Sequence, residues 1–114
     1  MKTEVINIGS KALVAYKRAK DKAIAEGRLV YIGREIKDYH GHTLWEESKW
    51  HNPFKGEPNE VLVEKYRQYL LGNAGLLSQI RELKGKVLGC WCKPKPCHGD
   101  VLVELLESQA EESK

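Results

Sequence analysis

The chain has 114 residues, 41% hydrophobic and 31% charged, which is the composition of an ordinary globular protein and excludes a disordered or fibrous one. A length of this order supports one hydrophobic core, and no apolar run is long enough to cross a bilayer, so we expect a single domain over residues 1–108 without a membrane span. The formal net charge of +3 permits a nucleic-acid partner but falls below the basic footprint of dedicated nucleic-acid modules.

The N-terminal part of the chain predicts a strand and then a helix. Residues 5–8 are mainly β-branched, which favours a short strand, and they lack the pattern of a secretory signal. Ser10 is placed to cap a helix that runs to about Glu26, and Gly27 would end it. We therefore expect a protein that stays in the cytoplasm, where it is made.

The middle of the chain combines a buried strand with a long irregular segment. Residues 29–33 form a continuous apolar run, which predicts a buried strand with Arg34 at its exit. Residues 35–56 show no clear period and contain His40, His42 and His51 among turn-forming residues, so they predict a long loop. No role follows for these histidines from the sequence.

The C-terminal half predicts two helices, a strand and a last helix. The helices are expected over residues 58–72 and 76–84, the buried strand over 87–91, and the last helix from 98–100 to about 108, followed by a polar tail, 109–114, that frays. This alternation predicts a small α/β domain with a short, mostly parallel sheet of about three strands flanked by helices. Ligands of such sheets bind beyond the carboxyl ends of the strands.

Residues 89–100, with the sequence GCWCKPKPCHGD, hold all three cysteines of the chain. Three thiols so close together do not make the disulfide framework of a secreted protein, and we expect them to be reduced. Because side chains alternate along a strand, Cys90 and Cys92 should face one side and Trp91 the other. Two prolines stiffen the loop that leads to Cys97.

The second half of this segment places Cys97, His98 and Asp100 where the last helix begins. Free N–H groups at a helix amino end favour negative charge, so Cys97 is expected to be partly thiolate near neutral pH and the most reactive of the three thiols. His98 and Asp100 can serve as acid, base or orienting groups. These three residues are therefore candidate catalytic residues of a nucleophilic site.

Two other interpretations of the segment stay open. In the first, the thiols are simply buried and Asp100 caps the helix. In the second, Cys90, Cys92, Cys97 and His98 bind a zinc ion, since the ligand types suit zinc. The spacing differs from the paired Cys-x2-Cys arrangement of zinc knuckles, so zinc is possible but not favoured, and the cofactor is left undetermined.

Four segments together resemble the domain of unknown function 4326 family of bacteria and their phages. They are residues 30–34, 50–54, 64–67 and 90–102, the last with a Cys-Trp-Cys-x-Pro-x-x-Cys-His-Gly-Asp signature. The resemblance covers most of the chain from Leu29 to Leu106. The activity of that family is uncharacterised, so the resemblance implies only that Arg34, Asn52 and the cysteine motif belong to one site.

The residues of this site indicate what they would bind. Arg34 can grip a phosphate or carboxylate in bidentate fashion, and Asn52 offers a paired donor and acceptor for the edge of a base. Trp50 can stack on a planar ligand. The remaining candidate ligand-binding residues are Cys92, Lys93 and Lys95.

We therefore predict a domain that binds a phosphate-bearing ligand, a nucleotide or a nucleic-acid segment, at a rim of Cys, His, Asp and Arg side chains. Whether it is an enzyme acting on nucleotides is not decided by the sequence, nor is its oligomeric state. The alternatives are a zinc-stabilised interaction module and a phage accessory protein that works by protein contact.

Overall fold

The computed structural model describes residues 2–9 and 13–112, and their elements alternate between strands and helices as predicted. In chain order they are β1 (Glu4–Asn7), α1 (Val14–Ala25), β2 (Leu29–Tyr31), β3 (Ile36–Lys37), β4 (Thr43–Trp45), α2 (Asn59–Leu71), α3 (Ala74–Leu77), a 3-10 helix (Ile80–Leu83), β5 (Val87–Cys90) and α4 (His98–Glu112). Strands β1, β5 and β2 form a parallel sheet in that order. The predicted α/β fold, a short parallel sheet flanked by helices, is confirmed.

The two faces of the sheet carry separate clusters of buried side chains, because successive residues of a strand point to opposite faces. Val87 of β5 packs with Ile6, Ile8 and Ala23 on the face covered by α1. The opposite face is covered by α2, the 3-10 helix and α4. Buried side chains of these helices form one cluster with Leu88 and Cys90 of β5: Tyr66, Leu70, Ile80, Leu83, Val101, Leu102 and Leu106.

Some element boundaries differ from the predicted ones. Leu13 occupies the N-cap of α1, while Ser10, the predicted cap, lies outside the described residues. The helix expected over 76–84 is divided into α3 and the 3-10 helix, and α4 continues to Glu112, into the segment expected to fray. No helix within residues 2–9 and 13–112 is long and apolar enough to cross a membrane.

The predicted loop 35–56 contains an antiparallel hairpin, β3–β4, that the sequence did not reveal. Asp38 holds its turn, since Oδ1 accepts hydrogen bonds from the backbone N–H groups of His40 and His42. Trp45 of β4 stacks on Tyr31 with ring centroids 4.9 Å apart, which anchors the hairpin to the sheet. The segment lacks the Asn-Gly or Asp-Gly turn that marks most short hairpins.

Gly99, in the first turn of α4, is buried against side chains of the sheet and of the segment after β2. A Cβ atom at this position would lie 2.8 Å from Cγ1 of Val5 and 2.9 Å from Cδ1 of Ile32. Both distances are below van der Waals contact, so only glycine allows the first turn of α4 to rest on the sheet in this way.

The substitution Gly99→Ala should lower the free energy of unfolding by about 1–3 kcal/mol, because the added methyl group forces helix and sheet apart. Gly75→Ala is the matched control: its Cβ would meet nothing closer than Oδ1 of Asn73 at 3.5 Å, and alanine favours the helix. Urea unfolding of both variants measures the difference. Equal stability of Gly99→Ala and the unsubstituted protein would show that α4 is not seated so closely.

Candidate functional site

A cleft of about 290 Å³ opens at the carboxyl ends of β2 and β5, where ligands of parallel sheets bind. Its lining is mainly apolar. The apolar and aromatic side chains come from the β3–β4 hairpin, the following loop, α2 and the segment after β5: Ile36, Phe54, Leu62, Val63, Trp91 and Pro96. All three cysteines also line it, with Arg34, Asn52 and His98.

The structure therefore brings most of the candidate site residues of the sequence analysis into one cleft. Trp50, Lys93, Lys95 and Asp100 do not line it. The loop histidines His40, His42 and His51 are also absent from its lining. The family resemblance implies that Arg34, Asn52 and the cysteine motif belong to one site. In the structure they lie in the same cleft.

Asn7, at the carboxyl end of β1, fixes the segment that leaves β5. Its Nδ2 donates hydrogen bonds to the carbonyl oxygens of Trp91 at 3.2 Å and Lys93 at 2.8 Å, and its Oδ1 accepts one from the N–H of Gly9 at 2.7 Å. No sequence pattern singled out Asn7, because its signal, one amide side chain at the end of a short strand, is weak.

The amino end of α4 is capped from both directions. Cys97 stands at the N-cap, and its Sγ accepts a hydrogen bond from the N–H of Gly99 at 3.4 Å. Asp100 returns the contact, because Oδ2 accepts from the N–H of Cys97 at 3.1 Å. Its Oδ1 pairs with Nζ of Lys93 at 2.5 Å. Both carboxylate oxygens of Asp100 thus hold the proline loop, residues 93–96, to the helix. These contacts favour the interpretation in which Asp100 caps the helix.

The three thiols interact as one cluster. Hydrogen bonding from the Cys97 thiol lowers the pKa of Cys92 to about 6 and the pKa of Cys90 to about 7. The same bonds to Cys90 and Cys92, together with burial, raise the pKa of Cys97. Cys97 has one proton to share and two adjacent thiolates repel each other, so the negative charge settles on Cys92. Lys95 stabilises it further.

Burial and a raised pKa both count against the expectation that Cys97 is the most reactive thiol. Its side chain is 1% exposed and packs in the core beneath α2 and α4, whereas Cys92 is only half-buried. The thiolate at the amino end of the helix was predicted from local position alone, and tertiary burial overrides it. Cys90 and Cys92 do share one side of the chain, as the alternation of side chains predicts.

His98 is held in one neutral form beside Cys97. Its Nε2 lies 2.6 Å from the carbonyl oxygen of Ile32, and because that oxygen can only accept, Nε2 carries the proton. Nδ1 is then unprotonated and lies 3.9 Å from Sγ of Cys97. Burial lowers the pKa of His98, so the ring is neutral at neutral pH.

Two of the predicted ligand contacts are made to the protein itself. The Asn52 amide donates from Nδ2 to the carbonyl oxygen of Leu62 and accepts at Oδ1 from the N–H of Phe54, which leaves one N–H and one lone pair of the amide for a ligand, so its reading of a base edge stays a prediction. Arg34 donates from Nε and Nη2 to the carbonyl of Asn52 and from Nη2 to that of Phe54. Within the described residues Arg34 pairs with no carboxylate.

The predicted stacking role of Trp50 is wrong. The side chain is 2% exposed and belongs to the core, and its carbonyl oxygen accepts a hydrogen bond from the hydroxyl of Tyr66. Trp91 lines the cleft instead, 41% exposed, with Nε1 donating to the hydroxyl of Tyr31 at 2.9 Å. The signal for Trp91 was its place at a strand exit between two cysteines.

In the part of the chain that the structure describes, no group of three or more His, Cys, Asp or Glu side chains is arranged to hold a metal ion. The three thiols and His98 nevertheless line one cleft, so the zinc alternative stays a prediction.

At neutral pH, iodoacetamide should alkylate Cys92 before Cys90 and Cys97. Because the thiolate is the nucleophile, the Cys92 rate should fall with decreasing pH and be half-maximal near pH 6, the pKa to which Cys97 lowers it. Cys97→Ala removes the donor and should move this midpoint up towards the ordinary cysteine value of about 8.5. Cys97→Ser keeps a hydroxyl donor and should leave the midpoint near that of the unsubstituted protein.

Mass-resolved alkylation time courses over a pH series measure these midpoints. If Cys97→Ala and Cys97→Ser give the same midpoint, hydrogen bonding from residue 97 does not set the pKa of Cys92. If Cys97 reacts before Cys92, burial does not determine which thiol is alkylated first.

Comparison with known proteins identifies the family of the chain. The family model described as "Domain of unknown function (DUF4326)" matches residues 14–108. The chain is 38% identical over 104 residues to "Uncharacterized protein R718" of Acanthamoeba polyphaga mimivirus, covering 82% of this chain and 77% of that protein. It is 48% identical over 29 residues to "Uncharacterized 12.4 kDa protein in nrdA-td intergenic region" of Enterobacteria phage T4, covering 25% of this chain and 27% of that protein.

No solved structure matches the chain. The family match includes the cleft and the whole cysteine segment, and the resemblance seen in the sequence is confirmed. The chain belongs to the DUF4326 family.

Proposed function

We propose that the domain binds a mononucleotide, free or at the end of a nucleic-acid strand, in the cleft beside the cysteines. The observation that carries this proposal is the juxtaposition of a mainly apolar, partly aromatic lining with two cations, Arg34 and Lys55. A base requires the first and a phosphate the second.

The apolar part of the cleft suits one planar ring system. Its volume of about 290 Å³ is near the lower limit of small-molecule pockets, about 300 Å³, which favours a single base over a larger ligand. Phe54 and Trp91 supply aromatic surface, and aliphatic side chains of α2 complete the walls. Trp91 here takes the stacking role that the sequence analysis gave to Trp50.

The positive charges of the cleft indicate where the phosphate would bind. Arg34 and Lys55 line the cleft, and neither forms an ion pair with a carboxylate within the described residues. Arg34 retains Nη1 for a ligand after its Nε and Nη2 have bonded the loop carbonyls. Lys93, in contrast, is neutralised by Asp100. The phosphate therefore belongs on the Arg34 and Lys55 side, away from the Cys92 thiolate.

The reactive group that such a ligand would meet is Cys92. Nucleophilic catalysis requires an accessible thiolate, and Cys92 combines partial exposure with a lowered pKa. Cys97 and His98 then act behind it, Cys97 as hydrogen-bond donor to the thiolate and His98 as the neutral neighbour of Cys97. Asp100 orders the loop that carries them.

Calorimetric titration with a nucleoside monophosphate, the matching nucleoside and inorganic phosphate tests the proposal, run for each of the four common bases. The monophosphate should bind most tightly, and its affinity should fall with added salt. Lys55→Ala should weaken binding about tenfold, the loss of one charge-assisted hydrogen bond of about 1.5 kcal/mol.

Lys84→Ala is the matched control, because Lys84 is an exposed lysine next to the start of β5, at the opposite end of the sheet. It should leave the affinity unchanged. Equal effects of the two substitutions would mean that binding reflects overall charge, and no binding of any monophosphate would refute the proposal.

A further inference from the structure

The most unusual feature of the cleft is that three thiols share it, yet each has a different exposure and a different partner. Cys90 and Cys97 are each 1% exposed and belong to the core, while Cys92 is half-buried and packs against their cluster. Of the three thiols, only Cys92 is therefore open to a small reagent from solvent, and the buried Cys97 lines the same cleft.

We propose that Cys92 and Cys97 form a redox-active dithiol, in which a peroxide oxidises Cys92 and Cys97 converts the product to an intramolecular disulfide. This inference goes beyond nucleotide binding and does not depend on it. It rests on the shared cleft, the packing of Cys92 against the core cluster that contains Cys97, and the contrast in exposure between the two residues.

The first step is attack by the Cys92 thiolate on one oxygen of hydrogen peroxide. The S–O bond forms, the O–O bond breaks, and the hydroxide that leaves takes a proton from solvent to become water. Cys92 is now a sulfenic acid and has given two electrons to the peroxide. Partial exposure makes this residue the point of entry.

In the second step the Cys97 sulfur attacks the Cys92 sulfur. The S–S bond forms, the S–O bond breaks, and the proton of Cys97 leaves with the hydroxyl group as water, so one peroxide yields two waters and one disulfide. Nδ1 of His98 lies 3.9 Å from Sγ of Cys97 and can hold that proton in transit. The N–H of Gly99, 3.4 Å from the same sulfur, stabilises the attacking thiolate.

Cys97 is a better resolving residue than Cys90. Hydrogen bonding from the Cys97 thiol is the largest effect on the pKa of Cys92, whereas Cys90, whose pKa that same thiol lowers to about 7, meets Cys92 as a like charge. Nδ1 of His98 and the N–H of Gly99 also contact the Cys97 sulfur, as a proton acceptor and a hydrogen-bond donor. Cys90 should therefore stay reduced.

The experiment treats the reduced full chain with one equivalent of hydrogen peroxide, without nucleotide. Free thiols are blocked with iodoacetamide in denaturant, so that the buried Cys90 also reacts; the disulfide is then reduced, and the released thiols are labelled with N-ethylmaleimide. Because Lys93 and Lys95 each precede proline, trypsin leaves all three cysteines in one peptide, and fragmentation of that peptide locates each label. We expect N-ethylmaleimide on Cys92 and Cys97 and iodoacetamide on Cys90.

Two variants make the test decisive. Cys97→Ser keeps a side chain that can cap α4, and it should give no intramolecular disulfide but a Cys92 sulfenic acid that dimedone traps. Cys90→Ser should form the disulfide as the unsubstituted protein does. A disulfide that contains Cys90, identical behaviour of the two variants, or no thiol loss with one equivalent of peroxide would each overturn the proposal. Nucleotide binding can fail without changing any of these results.

Discussion

Strand β5 lies between β1 and β2 and pairs with both, and this double pairing fixes where the cysteine segment begins. The pairing continues to the last residue of the strand, since the N–H of Ile8 bonds the carbonyl of Cys90 at 2.9 Å and the N–H of Ile32 bonds that of Gly89 at 3.1 Å. The chain therefore leaves the sheet after Cys90, at the carboxyl end of β5. Alternation along a strand directs Cys90 towards α2 and α4, on the same side as Cys92 and Cys97.

From this constraint follows the chemistry of the thiols. The chain turns from β5 into a proline loop that Asn7 holds at one end and Asp100 at the other, and it delivers Cys97 to the N-cap of α4. Packing beneath α2 and α4 buries Cys97 and keeps it protonated, so it becomes a donor to its neighbours. Cys92 stays accessible and takes the charge. A difference in packing between two cysteines thus becomes a difference in ionisation, and then in function.

The local patterns of the sequence predicted the strands, helices and parallel sheet, because apolar runs and turn residues report secondary structure directly. They also placed Cys90 and Cys92 on one side. They did not reveal the β3–β4 hairpin, whose turn depends on one aspartate and whose anchor is a ring stack made in the tertiary structure. The sequence also did not indicate which tryptophan is buried, because Trp50 and Trp91 differ in long-range packing rather than in local context. The same holds for the burial of Cys97.

The chemistry of the site depends most on the ionisation of one thiol of the three at neutral pH while Cys97 stays protonated. The ultraviolet absorbance of thiolate, followed through a pH titration of the reduced protein and of Cys92→Ser, measures this directly. We expect one equivalent of thiolate to form near pH 6 in the unsubstituted protein, with this first step absent from Cys92→Ser. Three thiols that titrate together near the ordinary cysteine pKa of about 8.5, unchanged in their midpoint by that substitution, would contradict the account.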